Sequence, residues 1–233
     1  MPEGPGKTAL IIGASRGLGF GLVQQYLRRG WRVVGTERKE SPSAKLKDAA
    51  MNSDLLEIEV VDINDTTEVL ALRERLEGRT VDLLIVNAGI ASGSGDRVTD
   101  ATTDEFVQIM VTNALSPMRI VNSFASLLSK QGTIAVMSSS LASISNNTTG
   151  GWEVYRGSKA ALNSFMRSFA ARHQVKSHTL LLIAPGWART DMGGPRADID
   201  VETSVRGVAD VIEKFAGQGG LHFVHYTGSE VSW

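Results

Sequence analysis

Two side chains four residues apart, Tyr155 and Lys159, carry the sharpest chemical signal in this sequence. They fall in a strongly helical stretch, and that spacing puts both on one helix face. A phenol titrates near pH 10 and is a poor acid–base group at neutral pH. An ammonium within a few Å favours the phenolate and lowers that value. The pair can therefore exchange a proton with the oxygen of a carbonyl or an alcohol. So short a pattern also arises by chance in helices, and it gains force from three other features. A glycine loop, Gly13-Ala-Ser-Arg-Gly17-Leu-Gly19, lies far upstream. Ser138, Ser139 and Ser140 follow an apolar run and offer hydroxyls to a reacting oxygen. Asn113 sits mid-helix, where Asn is a poor helix former. Pro117, four residues on, has no N–H to give the Asn113 carbonyl. That carbonyl is left for a water or a ligand, or the site is a plain kink filled by solvent.

These groups need a frame, and the hydrophobic pattern supplies one. Short apolar runs read as strands at 8–12, 31–35, 55–61, 81–86, 132–137, 177–183 and 221–224. Helical patterns fall between them at about 17–30, 43–52, 65–76, 103–129, 153–173 and 202–216. Alternation of this kind predicts an α/β fold: a doubly wound, Rossmann-type domain with a parallel seven-stranded sheet and helices on both faces. No repeat or linker divides the chain, so residues 1–233 read as a single domain. The longest non-periodic stretches, 91–100, 139–152 and 187–200, all follow strands, at the sheet edge where ligands bind in open parallel sheets.

The glycine loop joins the first strand to the first helix. Glycines allow a tight turn and close backbone approach, and a helix N-terminus offers N–H groups to phosphates. A P-loop reading of Gly6-Lys7-Thr8 fails, because a strand follows it and no earlier glycine stands at the required spacing. The loop therefore predicts dinucleotide binding. An acid at the end of the second strand suits the ribose 2′-OH of NAD, and arginine suits the 2′-phosphate of NADP. The sequence offers both, Glu37 and then Arg38, with Arg16 inside the glycine loop. Two arginines can bracket a phosphate, which favours NADP(H) over NAD(H) provided that Glu37 points away.

Composition removes other classes. The 233 residues hold 24 basic and 25 acidic side chains, a net charge of -1, which argues against a nucleic-acid partner. There is no cysteine, so disulfides, thiolate metal sites and cysteine nucleophiles are excluded. No apolar stretch is long enough to predict a membrane span. Residues 1–7 lack the apolar core of a signal peptide, so a cytoplasmic location is expected. The four histidines show no ligand spacing, and no metal site is expected.

Taken in order, these residues resemble the short-chain dehydrogenase/reductase family over essentially the whole chain. The landmarks are Gly13-x-x-x-Gly17-x-Gly19, Asp62, Asn87-Ala88-Gly89, Asn113, Ser139, Tyr155-x-x-Ser158-Lys159 and Pro185-Gly186-x-x-x-Thr190. The resemblance implies that Tyr155 donates a proton in carbonyl reduction and that Ser139 orients the carbonyl. It implies that Lys159 lowers the tyrosine pKa and binds the nicotinamide ribose, and that Asn113 holds a water in a proton relay. For the cofactor it implies Gly13, Ser15, Arg16, Gly17, Leu18 and Gly19 at the phosphates, Arg38, Asp62 and Ile63 toward the adenosine, and Asn87, Ala88 and Gly89 along it. Pro185, Gly186, Ala188 and Thr190 would hold the carboxamide. The sequence departs from the family at Ile12 and Val86, and Ser139 to Tyr155 spans an unusually long sixteen positions, which leaves Ser140 as a reserve for Ser139. The longer loop and the Pro185–Gly194 segment are similar to sniffer-type carbonyl reductases and bacterial C-factor-like proteins.

The expected activity is NADPH-dependent reduction of a ketone, aldehyde or quinone. The alternative is a non-catalytic dinucleotide-binding or cell–cell signalling protein on the same fold. The substrate pocket is expected from Leu141, Ser143, Trp152, Trp187 and Met192, with a short substrate loop at about 191–200 that leaves the site open to a small carbonyl. The resemblance implies a homodimer or homotetramer formed through the two long helices, about 103–129 and 153–173, on which Phe106, Ile109, Phe165 and Phe169 lie without their spacing separating core from interface.

Overall fold

The computed structural model describes residues 6–91, 97–173 and 177–233, so the reading of the N-terminus and the middle of the 91–100 stretch lie outside the described residues. Seven strands form one sheet: β1 Thr8–Ile12, β2 Arg32–Glu37, β3 Leu56–Val60, β4 Val81–Val86, β5 Leu128–Met137, β6 Thr179–Ala184 and β7 Gly220–His225. Their order is β3-β2-β1-β4-β5-β6-β7, and every pairing is parallel. The chain winds outward from β1 in one direction and from β4 in the other. The cleft at that reversal, beyond the C-terminal ends of the strands, is where such sheets bind ligands.

Among the described residues, seven α-helices cover the sheet: α1 Gly17–Arg28, α2 Ala44–Met51, α3 Thr66–Arg75, α4 Thr103–Met110, α5 Ser116–Phe124, α6 Glu153–Arg172 and α7 Val201–Phe215. Strand side chains alternate between faces, and β1 shows how this builds two cores. Leu10 and Ile12 pack with Leu72 of α3, Val121 and Phe124 of α5, and Leu162 and Met166 of α6. Ala9 and Ile11 pack with Leu22 and Tyr26 of α1, Leu46 of α2, and Val208 and Ile212 of α7. Burial on both faces explains why the central strands read as unbroken apolar runs.

One expected element is corrected. The sequence pattern predicts a single helix over 103–129, but α4 and α5 are separated by a π-helical turn, Val111–Leu115. Pro117 cannot donate to the Asn113 carbonyl, and the ladder widens there, with the Ser116 N–H reaching the Val111 oxygen. The helical run ends at Leu127 and β5 begins at once with Leu128, four residues earlier than its apolar run. Elsewhere the expected boundaries shift by one or two residues, as helix and strand ends commonly do.

Candidate active site

The site begins where β1 runs into α1. Gly13 has φ 83° and donates its N–H to Thr36 Oγ1 of β2 at 3.0 Å. The Asn87 side chain, just after β4, donates to the Gly13 carbonyl at 2.9 Å. A Cβ on Gly19 would lie 1.9 Å from that same carbonyl oxygen, so only glycine lets the first turn of α1 close against the loop. No side chain caps α1. Gly17 and Leu18, in its first turn, line the cleft with Ser15 and Arg16. This backbone cradle, open at a helix start, fits the diphosphate of a dinucleotide.

At the adenosine end, Arg38, Asp62 and Ile63 line the cleft. Glu37 also borders it, but its carboxylate accepts the Ser43 N–H at 2.6 Å, at the N-cap of α2. The acid is thus committed to the β2–α2 turn. Arg16 pairs with Asp191 across the cleft mouth. Arg38 and Arg16 both border the cavity, as the two-arginine reading requires.

The chemical groups meet at the other end. Lys159, on α6, is 4% exposed and donates to the Met137 carbonyl at 2.8 Å. Burial pushes its ammonium down to about 8, because the low-dielectric surroundings penalise charge. Its Nζ lies 5.9 Å from the Tyr155 ring centre. Burial raises the Tyr155 pKa, and its hydrogen bond with the Ser139 hydroxyl acts the other way. The phenol therefore carries its proton at neutral pH and can donate it.

Asn113 lies in the π turn and is fully buried. Its Oδ1 accepts the Ile90 N–H at 2.8 Å, and its Nδ2 donates to the Ile90 carbonyl at 2.8 Å and to Ser158 Oγ at 3.0 Å. The Ser158 hydroxyl in turn donates to the Tyr155 carbonyl at 2.7 Å. This side chain ties the segment after β4 to the tyrosine turn of α6. A Cβ on Gly89 would lie 3.3 Å from Asn113 Oδ1 and 3.4 Å from Lys159 Nζ, so these three residues converge.

The three serines separate cleanly. Ser139 reaches Tyr155 and also accepts the Leu141 N–H at 3.1 Å. Of the three only Ser138 lines the cavity, but it is buried and its hydroxyl donates to Asn163 Oδ1 at 2.7 Å, while Ser140 is exposed. Among the remaining expected residues, Asn87, Ala88, Gly89, Pro185, Thr190 and Met192 line the cavity. Gly186 does not: a Cβ there would strike Tyr226 at 2.7 Å, so this glycine faces the packing beneath. Ala188 is buried and pairs with Ile199, outside the lining as well. Leu141, Trp152 and Trp187 also lie beyond the cavity wall; Trp152 and Trp187 are half exposed at its surroundings, the latter donating to the Gly193 carbonyl at 2.9 Å. Sequence reasoning missed Thr36, Asn64 and Asn163. Asn64 lines the cleft and donates to Thr112 Oγ1 at 3.0 Å. Asn163 carried a usable signal, four residues beyond Lys159 on the same helix face.

Comparison with known proteins bears on this geometry directly. Residues 7–199 match the family described as short chain dehydrogenase. C-signal of Myxococcus xanthus is 37% identical over 156 residues, 66% of this chain and 93% of that protein. The crystal structure of a short-chain dehydrogenase/reductase from Burkholderia multivorans with bound NADP superposes with a TM-score of 0.96 at 47% identity, covering 98% of this chain and all of the other. Carbonyl reductase Sniffer of D. melanogaster gives 0.85 at 30% identity, covering 98% of this chain and all of the other. A family match that spans β1 through the cleft loops, on a sheet of the same winding, shows that the chain belongs to the short-chain dehydrogenase/reductase family of NAD(P)-dependent oxidoreductases.

Proposed function

We propose that this protein reduces the carbonyl group of a small molecule to an alcohol, using NADP(H) in preference to NAD(H). The observation that carries the reading is the cluster at the inner end of the cleft, where Tyr155, held protonated, meets Ser139 and stands over the Lys159 ammonium. NADPH, when bound, supplies the hydride that reduces the carbonyl carbon. Gly13, Ser15, Gly17 and Leu18 would hold its diphosphate, Arg16 and Arg38 its 2′-phosphate, and Asp62 and Ile63 its adenine. Asn87, Ala88, Gly89, Pro185 and Thr190 would line the rest of its length.

The side chains then divide the work. The Tyr155 phenol gives its proton to the substrate oxygen as charge builds there. The Ser139 hydroxyl donates to the same oxygen and sets its direction. Lys159 stabilises the phenolate left behind and holds the ribose. Asn113 fixes the Ile90 segment and the Tyr155 turn in register; its carbonyl, denied a proline N–H, would keep a water for returning the proton. The whole chain would act as one cofactor domain, with 191–200 as its substrate loop. NADP in the Burkholderia neighbour and the reductase name of the Drosophila one support the cofactor and the reaction.

The test is NADPH oxidation over a panel of ketones, aldehydes and quinones. Wild type should turn over, and Tyr155→Phe should lose at least about 10²-fold in kcat with its NADPH affinity little changed. Tight NADPH binding without turnover of any carbonyl would sink the reading. The likeness to C-signal favours a second one, a signalling role on the same fold. Full biological activity in Tyr155→Phe would support that alternative over the first.

A further inference from the structure

Among the described residues, Trp152 is the one non-glycine with a positive φ, at φ 53° and ψ 34°. That left-handed region crowds the Cβ of any L-residue, and a bulky aromatic is a poor choice for it. It closes a run of three such residues, after Gly150 at φ 66° and Gly151 at φ 71°. The conformation is held in place. The Arg156 guanidinium donates to the Gly151 carbonyl at 2.8 Å and to the Gly150 carbonyl at 3.2 Å, and the Arg156 N–H reaches the Trp152 carbonyl at 2.8 Å. Strain kept in place by its surroundings is a mark of a functional position.

The result of that strain is an aromatic surface beside the reacting phenol. The Trp152 and Tyr155 rings form a T-shaped pair, with centroids 6.3 Å apart and planes at 74°, yet Trp152 remains 45% exposed. Packing against Tyr155 leaves much of the indole to solvent. Met192, 47% exposed, contributes a polarisable thioether to the cavity that Tyr155 also lines. Exposed aromatic and thioether surface next to a polar reacting centre suits a flat, apolar partner.

We propose that Trp152 is a specificity-determining residue: an exposed stacking surface against Tyr155, just outside the cavity wall, that selects substrates whose carbonyl is conjugated to a planar aromatic ring over saturated ones of equal size. This rests on the carbonyl-reductase reading above and adds the substrate class to it. The test compares benzaldehyde with cyclohexanecarboxaldehyde in wild type, Trp152→Gly and Trp152→Asn. Both replacements suit the left-handed backbone, so neither should lower Tm by more than a few degrees. The ratio of kcat/KM for the aromatic over the saturated aldehyde should fall about three- to tenfold in both variants, the worth of one aromatic contact. An unchanged ratio, or equal losses for both aldehydes, would assign Trp152 to packing and overturn the proposal. If wild type oxidised NADPH with neither aldehyde nor any other carbonyl, the reductase reading itself would fail and take this one with it. Turnover of both aldehydes without preference in wild type would overturn the Trp152 assignment alone.

Discussion

Lys159 is placed where its charge costs free energy. Its pKa falls from 10.5 to about 8 through burial, so below pH 8 the folded protein carries an ammonium that unfolding would relieve. Between about pH 8 and 10.5 the unfolded chain keeps this proton and the folded one has released it, so stability from this group rises with pH across that window. At pH 7, Lys159→Met should therefore stabilise the protein by about 2 kcal/mol while activity collapses. Denaturant titrations of both proteins at pH 7 and pH 10 check this, and a gain that does not shrink at pH 10 would contradict it. The kcat/KM for NADPH in carbonyl reduction, which reports the free enzyme, should decline above about pH 8 as the ammonium is lost. Tyr155 does not give that limb, because burial moves its titration upward and away.

At the scale of elements, the π turn and the β2–α2 turn do the positioning. Asn113 joins the Ile90 segment to α6 through three buried hydrogen bonds. Asn113→Ala should cost about 3 kcal/mol, lowering Tm by roughly 6–12 °C, because the Ile90 and Ser158 groups lose their partners. A change below a degree in a thermal melt would show that water replaces the amide without loss. In the β2–α2 turn, Glu37 caps toward Ser43 and leaves Arg38 at the cleft. Arg38→Ala should raise the Kd for NADPH roughly tenfold or more and leave that for NADH within about threefold, since only the former carries the 2′-phosphate. Equal losses for both cofactors, measured by titration calorimetry, would move the phosphate site elsewhere.

For the whole molecule, the cleft joins loops from both halves of the sheet, so filling it should stabilise the fold by mass action. NADPH at about 100 times its Kd should add about 2.7 kcal/mol, and NADH at the same concentration less. A thermal shift no larger for NADPH than for NADH would count against the cofactor choice. The exterior carries its own expectation. Phe106 and Val107 of α4, Leu115 of the π turn and Phe165 of α6 are all exposed apolar side chains, and α4 packs beside α6. A patch of this kind fits self-association. Light scattering should give two or four times the 25.0 kDa chain mass, and Phe165→Glu should shift it toward one. A wild-type monomer would refute the expectation.

Tyr155, Lys159 and the glycine loop were legible in the chain itself, because local geometry makes their spacing meaningful, whereas Ser139 and the role of Asn113 came only through the resemblance to a family. A turn of helix aligns Tyr155 with Lys159, and glycines permit the loop whatever surrounds it. The order of apolar runs likewise determined the parallel sheet, since strands buried on both faces must be apolar throughout. Pro117 even marked the break in the 103–129 helix, although its form as a π turn depends on how the widened ladder packs. Tertiary structure decided the rest. Which serine meets Tyr155, the direction of Glu37, the removal of Gly186 and Ala188 from the cavity wall and the left-handed strain at Trp152 all depend on contacts between distant segments. Such contacts join residues far apart in the chain, and spacing along a helix or a strand carries no record of them.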